Sequence, residues 1–347
     1  MRQKKRWSLW DMKHKNISIF IPHVGCKNDC SFCNQRTISG TVNPPTQEEV
    51  REILRKAFHD IHDKSTTEIA FFGGSFTAIN HDYMISLLQV ANEFIGQDKF
   101  TGIRISTRPD AITQEILSLL KKYHVTAIEL GAQSMIDDVL ALNDRGHTAE
   151  DVRIASKLIQ QNGFALGLQM MVSLYGDTQQ GVYQTANEII AIKPDTVRIY
   201  PTVILRGTKL AKLYEQGLYE VMPLETAVSI CADLLSMFTK QGIKVIKLGL
   251  HASNDVEKDM VGGIYHPAFR ELCESEIYYK LALNKLMKLN SANVVIEVSE
   301  KSISKMIGQK KINIEKLRKQ GYCVKVTPNC ELNEFEVICR IDNVKIS

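Results

Sequence analysis

The sequence has no apolar run approaching the roughly 18 residues that a membrane helix needs, which argues against a helical membrane span. Its basic start, MRQKKRWSLWDMKHK, lacks the apolar centre of a secretory signal, so a cytoplasmic protein is expected. Nor is there a large excess of one charge: Lys and Arg number 43, Asp and Glu 39, and the net charge is +4 with His neutral. Without a secretory segment, the eight cysteines do not read as a disulfide framework. A 44% hydrophobic and 24% charged composition is that of an ordinary globular protein, and 347 residues exceed the usual size of a single core.

What is present is a repeat of short β-rich runs followed by longer segments of helical period. The strands expected are Ile17–Pro22, Glu68–Gly74, Gly102–Thr107, Ala127–Ser134, Phe164–Leu174, Thr196–Ile204 and Ile243–Leu250. Between the first two, Thr46 followed three places on by Glu49 forms a capping box for a helix. Six or seven such repeats predict a parallel sheet with helices outside, either an open doubly wound sheet or a closed or partial barrel. In both arrangements chemistry gathers at the carboxyl ends of the strands. After Leu250 the period is lost, and a polar, glycine-bearing segment reads as a wrapping stretch.

Three cysteines fall within eight residues behind the first strand, as Cys26-x-x-x-Cys30-x-x-Cys33. Soft thiolates at that spacing suit zinc or an iron–sulfur cluster. Structural zinc takes four ligands in two separated pairs, and no second pair follows, although His23 is a conceivable fourth ligand. A cubane held by three cysteines leaves one iron open, which is a catalytic arrangement. The other five cysteines (Cys231, Cys273, Cys323, Cys330 and Cys339) are scattered and read as small core residues.

The trio, with Phe32 before its last cysteine, resembles the signature of the radical S-adenosylmethionine superfamily. The resemblance implies that Cys26, Cys30 and Cys33 bind a 4Fe–4S cluster, that S-adenosylmethionine chelates the open iron, and that a 5′-deoxyadenosyl radical results. It also implies a partial (β/α) TIM-like barrel and an electron donor such as flavodoxin or ferredoxin. In FFGGSF, Gly73, Gly74 and Ser75 match the family's second-strand motif and are expected to meet the methionine amino group through backbone. Gln133 and Arg145 stand as in the coproporphyrinogen-dehydrogenase-like members, implying contacts to a ribose hydroxyl and to the methionine carboxylate, for which an arginine fork is suited. Ser106 and Gln169 fall at the places of two further cofactor contacts. The motifs GGSFT, STRPD, ELGAQS, NDRGH and HPAFRELCES, over about residues 15–280, are most similar to the radical module of the Elongator catalytic subunit family and its bacterial relatives. That subunit carries an acetyltransferase domain, for which the stretch after residue 280 is too short.

The expected organisation is a basic extension over residues 1–15, a radical barrel over 16–275 and a small α/β domain over 276–347. The last resembles a KH domain, with Gly308, Gln309, Lys310 and Lys311 as its G-x-x-G-like loop, a loop type that clamps single-stranded nucleic acid. Between Ser299 and Lys325, eight basic residues stand against two acids, a local +6 that suits a polyanion. Three functional readings follow. The first is a radical enzyme modifying an RNA base, with tRNA favoured. The second is a radical enzyme on a small molecule or tetrapyrrole with a structural tail. The third is a non-catalytic iron–sulfur RNA-binding protein. Tyr200, Tyr265 and His266 are candidates for facing substrate.

Overall fold

The computed structural model describes residues 15–22, 24–26, 30–34, 37, 43–250 and 254–342. His23 and the extension before Lys15 lie outside the described residues. Strands β1 (Lys15–Ile21), β2 (Thr67–Gly73), β3 (Gly102–Thr107), β4 (Val125–Gln133), β5 (Ala165–Val172) and β6 (Thr196–Pro201) pair in parallel, each with the next. A short strand, β7 (Val203–Leu205), leaves the sheet, and β8 (Lys244–Leu248) completes it beside β6. The sheet therefore runs in chain order, whereas a doubly wound sheet reverses its order midway. It is a half-barrel, one of the arrangements the repeats allow and the partial TIM-like barrel that the family resemblance implies.

The central strands are buried along most of their length because helices cover one face and the barrel interior lies on the other. Threonine side chains cap the outer helices that start at Gln47, Gln114, Ala149, Gln179 and Lys209 by accepting first-turn amides. The Thr46–Glu49 capping box forms as expected, and Thr148–Asp151 makes a second.

Three stretches differ from the local reading. The expected strand Thr196–Ile204 splits after Pro201, because Val203–Leu205 pairs antiparallel with β9 (Met260–Gly263) in a separate sheet. The wrapping stretch after Leu250 holds a helix (Asn254–Asp259), β9 and the start of a long helix, Phe269–Leu286. Leu224–Lys240, to which the repeat assigns no element, is a 17-residue helix.

The chain forms two compact units. The first is Met1–Val221 with Ile243–Lys247 and Ala252–Gly263; the second is Met222–Gly242 with Leu248–His251 and Ile264–Ser347. In the second unit β10 (Asn293–Val298) lies between β11 (Cys323–Pro328), parallel to it, and β12 (Val337–Ile341), antiparallel. Tyr278, Ala282 and Leu286 of the long helix pack on Val294, Ile296 and Val298, with Met306, Leu317 and Val337 completing the core. Of the scattered cysteines, Cys231 and Cys273 are buried as expected, whereas Cys323 and Cys330 are exposed. Both sit where the strand and turn of this small sheet face water on one side. Among the described residues no helix is long and apolar enough to cross a membrane.

Glycine fixes how the loop after β1 meets the turn after β2. Gly25 has φ +81°, and a Cβ there would lie 2.5 Å from the Ser75 carbonyl oxygen and 2.8 Å from the Ile79 amide. Gly163 has almost the same φ, +82°, with nothing within 4 Å of its would-be Cβ. Gly163→Ala is therefore expected to cost only backbone strain, about 1 kcal/mol, and Gly25→Ala about 2–4 kcal/mol more from the backbone clash. Denaturant midpoints of the two variants measure the difference.

Candidate active site

The cysteine loop is held from three sides. Ser31, fully buried, donates its amide to the Asn143 carbonyl (3.1 Å) and its hydroxyl to Asn143 Oδ1 (2.7 Å), while its carbonyl accepts from the Leu210 amide (2.7 Å). Asn143 in turn donates Nδ2 to the carbonyls of Val139 and Tyr175, both at 2.8 Å. The Cys33 amide closes a turn on the Cys30 carbonyl at 3.0 Å, and Phe32 packs among Val139, Met171, Leu174 and Tyr219. Anchored loops of this kind place side chains repeatably, because every buried polar group has its partner.

The glycine turn serves the same junction. A Cβ on Gly73 would lie 2.9 Å from the Ile21 carbonyl oxygen, and one on Gly74 2.4 Å from that of Val24. The room these glycines leave is thus taken up by the chain's own backbone after β1.

All eleven residues singled out near the strand ends line one cavity: the three cysteines with Phe32, then Gly73, Gly74 and Ser75, and finally Ser106, Gln133, Arg145 and Gln169. Sequence reasoning missed three further lining residues, Thr107, Arg108 and Gly131. Gly131 has a legible reason only in three dimensions. A Cβ there would meet Gln133 Nε2 at 3.0 Å and Arg145 Nη2 at 3.3 Å, so the glycine makes room for both side chains. Arg108 ties the arginine loop down by donating Nη2 to the carbonyls of Arg145 and Gly146, both at 3.2 Å, while pairing with Asp110.

Arg145 reaches across the cavity. Its Nη1 donates to Cys30 Sγ at 3.0 Å, its Nη2 to the Gly131 carbonyl at 2.8 Å, and its guanidinium lies 5.9 Å from the Phe32 ring centroid. Gln133 closes β4 in the left-handed region at φ +66°, an uncommon place for a side-chain-bearing residue and one found at ligand sites. Arg145 Nε and Gln133 Oε1 are buried without a partner. Such orphaned polar atoms at a cleft indicate a ligand group that completes them. Behind them, burial and the neighbouring Arg145 push the His147 imidazole down to about 4, so it is neutral near pH 7.

Among the described residues no three His, Cys, Asp or Glu side chains converge on a single metal ion. A cluster that takes one thiolate per iron does not require that convergence. The donor set of three thiols, a guanidinium touching one sulfur, and an orphaned amide oxygen and guanidinium nitrogen therefore fits a cluster with a small zwitterionic ligand.

The sequence pattern of the Radical SAM superfamily matches residues 20–189, and that of the Radical_SAM C-terminal domain matches residues 194–279. The chain belongs to the radical SAM superfamily. Members use a 4Fe–4S cluster and S-adenosylmethionine, and the chain is a radical SAM enzyme. Elongator complex protein 3 of Saccharomyces cerevisiae is 30% identical over 255 residues, 64% of this chain and 45% of that protein. The tRNA uridine(34) acetyltransferase of Methanocaldococcus jannaschii is 26% identical over 199 residues, 52% of this chain and 37% of that one. The structure of the archaeal Methanocaldococcus infernus Elp3 superposes with a TM-score of 0.61 at 20% identity, over 77% of this chain and 63% of that one, and so shares the fold. The chain spans about half the length of the yeast relative it matches.

Gly308, Gln309, Lys310 and Lys311 do not line this cavity and belong to the second unit. Of the candidates for facing substrate, Tyr200 lies on β6 opposite Met171, and His266 accepts from the Ala268 amide at 3.1 Å just before the long helix.

Asn143→Ala removes the side-chain bond to Ser31 and the two that hold Asn143 to Val139 and Tyr175, and takes from the Ser31 hydroxyl its Asn143 partner. It is expected to cost about 2–4 kcal/mol, against about 1–2 for Ser31→Ala. Equilibrium unfolding of the two variants gives the comparison.

Proposed function

We propose that Cys26, Cys30 and Cys33 hold the 4Fe–4S cluster of this radical SAM enzyme, and that its target is an RNA base, with tRNA the favoured RNA. The observation that supports the cluster site best is the meeting, in one cavity, of the three cysteines with Arg145 and its orphaned Nε. When bound and reduced by a donor of the flavodoxin or ferredoxin class, the cluster and S-adenosylmethionine supply a 5′-deoxyadenosyl radical that takes a hydrogen atom from substrate. The chain's own residues bind and orient. Arg145 offers its guanidinium to the methionine carboxylate, and the backbone at Gly73–Ser75 meets the amino group. Gln133, Ser106 and Gln169 hold the nucleoside. The Phe32 cluster packs against Cys30 and Cys33 and shields their side of the site from water.

Support for RNA comes from the second unit. Its order of β10, helix Ile303–Ile307, Gly308–Lys311, helix Ile312–Lys319 and β11 is that of a KH-like module. Two of the eight cations between Ser299 and Lys325 are structural: Lys305 pairs with Glu274 and Glu334, and Lys316 with Glu276. The remaining six (Lys301, Lys310, Lys311, Arg318, Lys319 and Lys325) are exposed, and among the described residues none makes an ion pair. Lys311 stands where a G-x-x-G loop has its second glycine and takes a glycine-like φ of +62°. The loop thus keeps the backbone turn while adding a charge. The name of the archaeal tRNA uridine(34) acetyltransferase is in keeping with an RNA substrate.

Anaerobically reconstituted protein given dithionite and S-adenosylmethionine is expected to release 5′-deoxyadenosine, and Cys30→Ala to lose both cluster absorbance and product. A fully loaded enzyme that yields none refutes the radical reading of this site. For RNA, bulk tRNA binding should weaken in the Lys310→Glu/Lys311→Glu variant, and the slope of log affinity against log salt should fall by about 1–2. Unchanged affinity and slope rule out the loop as the RNA contact.

A further inference from the structure

Behind the cleft, and not among the residues that line it, stands a carboxylate bonded to one that does. Glu129 lies in the middle of β4, with its side chain 1% exposed. Its Oε1 accepts from Arg104 Nη1 (3.2 Å) and Arg198 Nη2 (2.9 Å), and its Oε2 from Arg198 Nε (2.6 Å) and Gln169 Nε2 (2.9 Å). Gly167, opposite it on β5, leaves the space it occupies: a Cβ there would lie 2.8 Å from Glu129 Cγ.

The protonation of this carboxyl follows from its partners. Burial alone would raise its pKa, but the two guanidiniums outweigh burial and hold it below the usual carboxylate range. An ionised carboxylate only accepts hydrogen bonds, and an amide donates only through nitrogen. Gln169 must therefore present its NH2 group to Glu129. The same nitrogen stands 3.4 Å from Ser106 Oγ. The carbonyl oxygen of Gln169, a residue lining the cavity, is left for the ligand.

We propose that Glu129 is a positioning residue that fixes the Gln169 amide with its oxygen toward the cleft, so that the ligand group meeting Gln169 is a hydrogen-bond donor, namely a sugar hydroxyl of the bound nucleoside. This rests on the reading of the cavity as the cofactor site. Arg104 and Arg198 enter only by keeping Glu129 charged.

The test uses the cluster-loaded enzyme and the unreactive probe S-adenosylhomocysteine, with its 2′-deoxy, 3′-deoxy, 2′-fluoro and 3′-fluoro analogues, in equilibrium binding. At one of the two sugar positions the parent should bind about fivefold tighter than the deoxy analogue, the value of one neutral hydrogen bond. The fluoro analogue, which offers only an acceptor, should bind no better than the deoxy one. Gln169→Met should erase the preference. Glu129→Gln, which lets the neighbouring amide turn over, should diminish it while Gln169 is still present. A fluoro analogue as tight as the parent, no preference at either position, or a folded Glu129→Gln enzyme with the full preference would each overturn the proposal. If Glu129→Gln does not fold, as a melt would reveal, the analogue series on the unaltered enzyme decides. Failure of the parent probe to bind the loaded enzyme at all would instead refute the cofactor-site reading, and this inference with it.

Discussion

A carboxylate removed from water must find counter-charges inside the protein, and the half-barrel is organised around one that does. Glu129 on β4 draws Arg104 from β3 and Arg198 from β6, and Arg104 donates its Nε to Glu68 of β2 at 2.8 Å. Two acids face two guanidiniums, so no net charge is buried. Removing one member would leave a charge without its partner, which costs far more than the intact set contributes. The arrangement also fixes register. A slip of one residue in any of these strands would carry its charged group to the opposite face, among the helices. The site's geometry depends on this, because Ser106 shares β3 with Arg104, and Gln169 of β5 donates to Glu129 itself.

Much of this was legible in the sequence, for a physical reason. Short-range spacings declare themselves: the cysteine trio, the paired glycines, the capping box, and the alternation of strand and helix all lie within a few turns of chain. The strand ends then had to converge, since parallel strands with right-handed crossovers put all their carboxyl ends on one side. That is why residues as far apart as Cys26 and Gln169 line one cavity.

What the sequence hid were pairings between distant residues with nothing unusual on either side. Ser31 and Asn143 stand 112 residues apart, and neither looks special alone. The strand at Val203–Leu205 has no partner until Met260–Gly263 arrives, so periodicity merged it with the strand before. Charge counting had a similar blind spot. The local excess between Ser299 and Lys325 was real, but two of its lysines are committed to glutamates within the second unit. Gly131 and Gly167 looked like unremarkable strand glycines, and only the side chains that fill the space beside them explain the choice.

The chain-order sheet has a consequence for how the molecule comes into being. Every cavity-lining residue falls between Cys26 and Gln169, on strands that pair with their immediate predecessors or in the loops that follow them. Each new strand therefore pairs with the strand made just before it, across a single crossover. As the chain leaves the ribosome, the cleft's walls are all present once β5 has emerged. Yet Glu129 then still lacks Arg198, which arrives with β6. Until that strand docks, the acid behind the nascent cleft lacks one of its two guanidiniums, and the cysteine loop still waits for the Leu210 amide that follows β6.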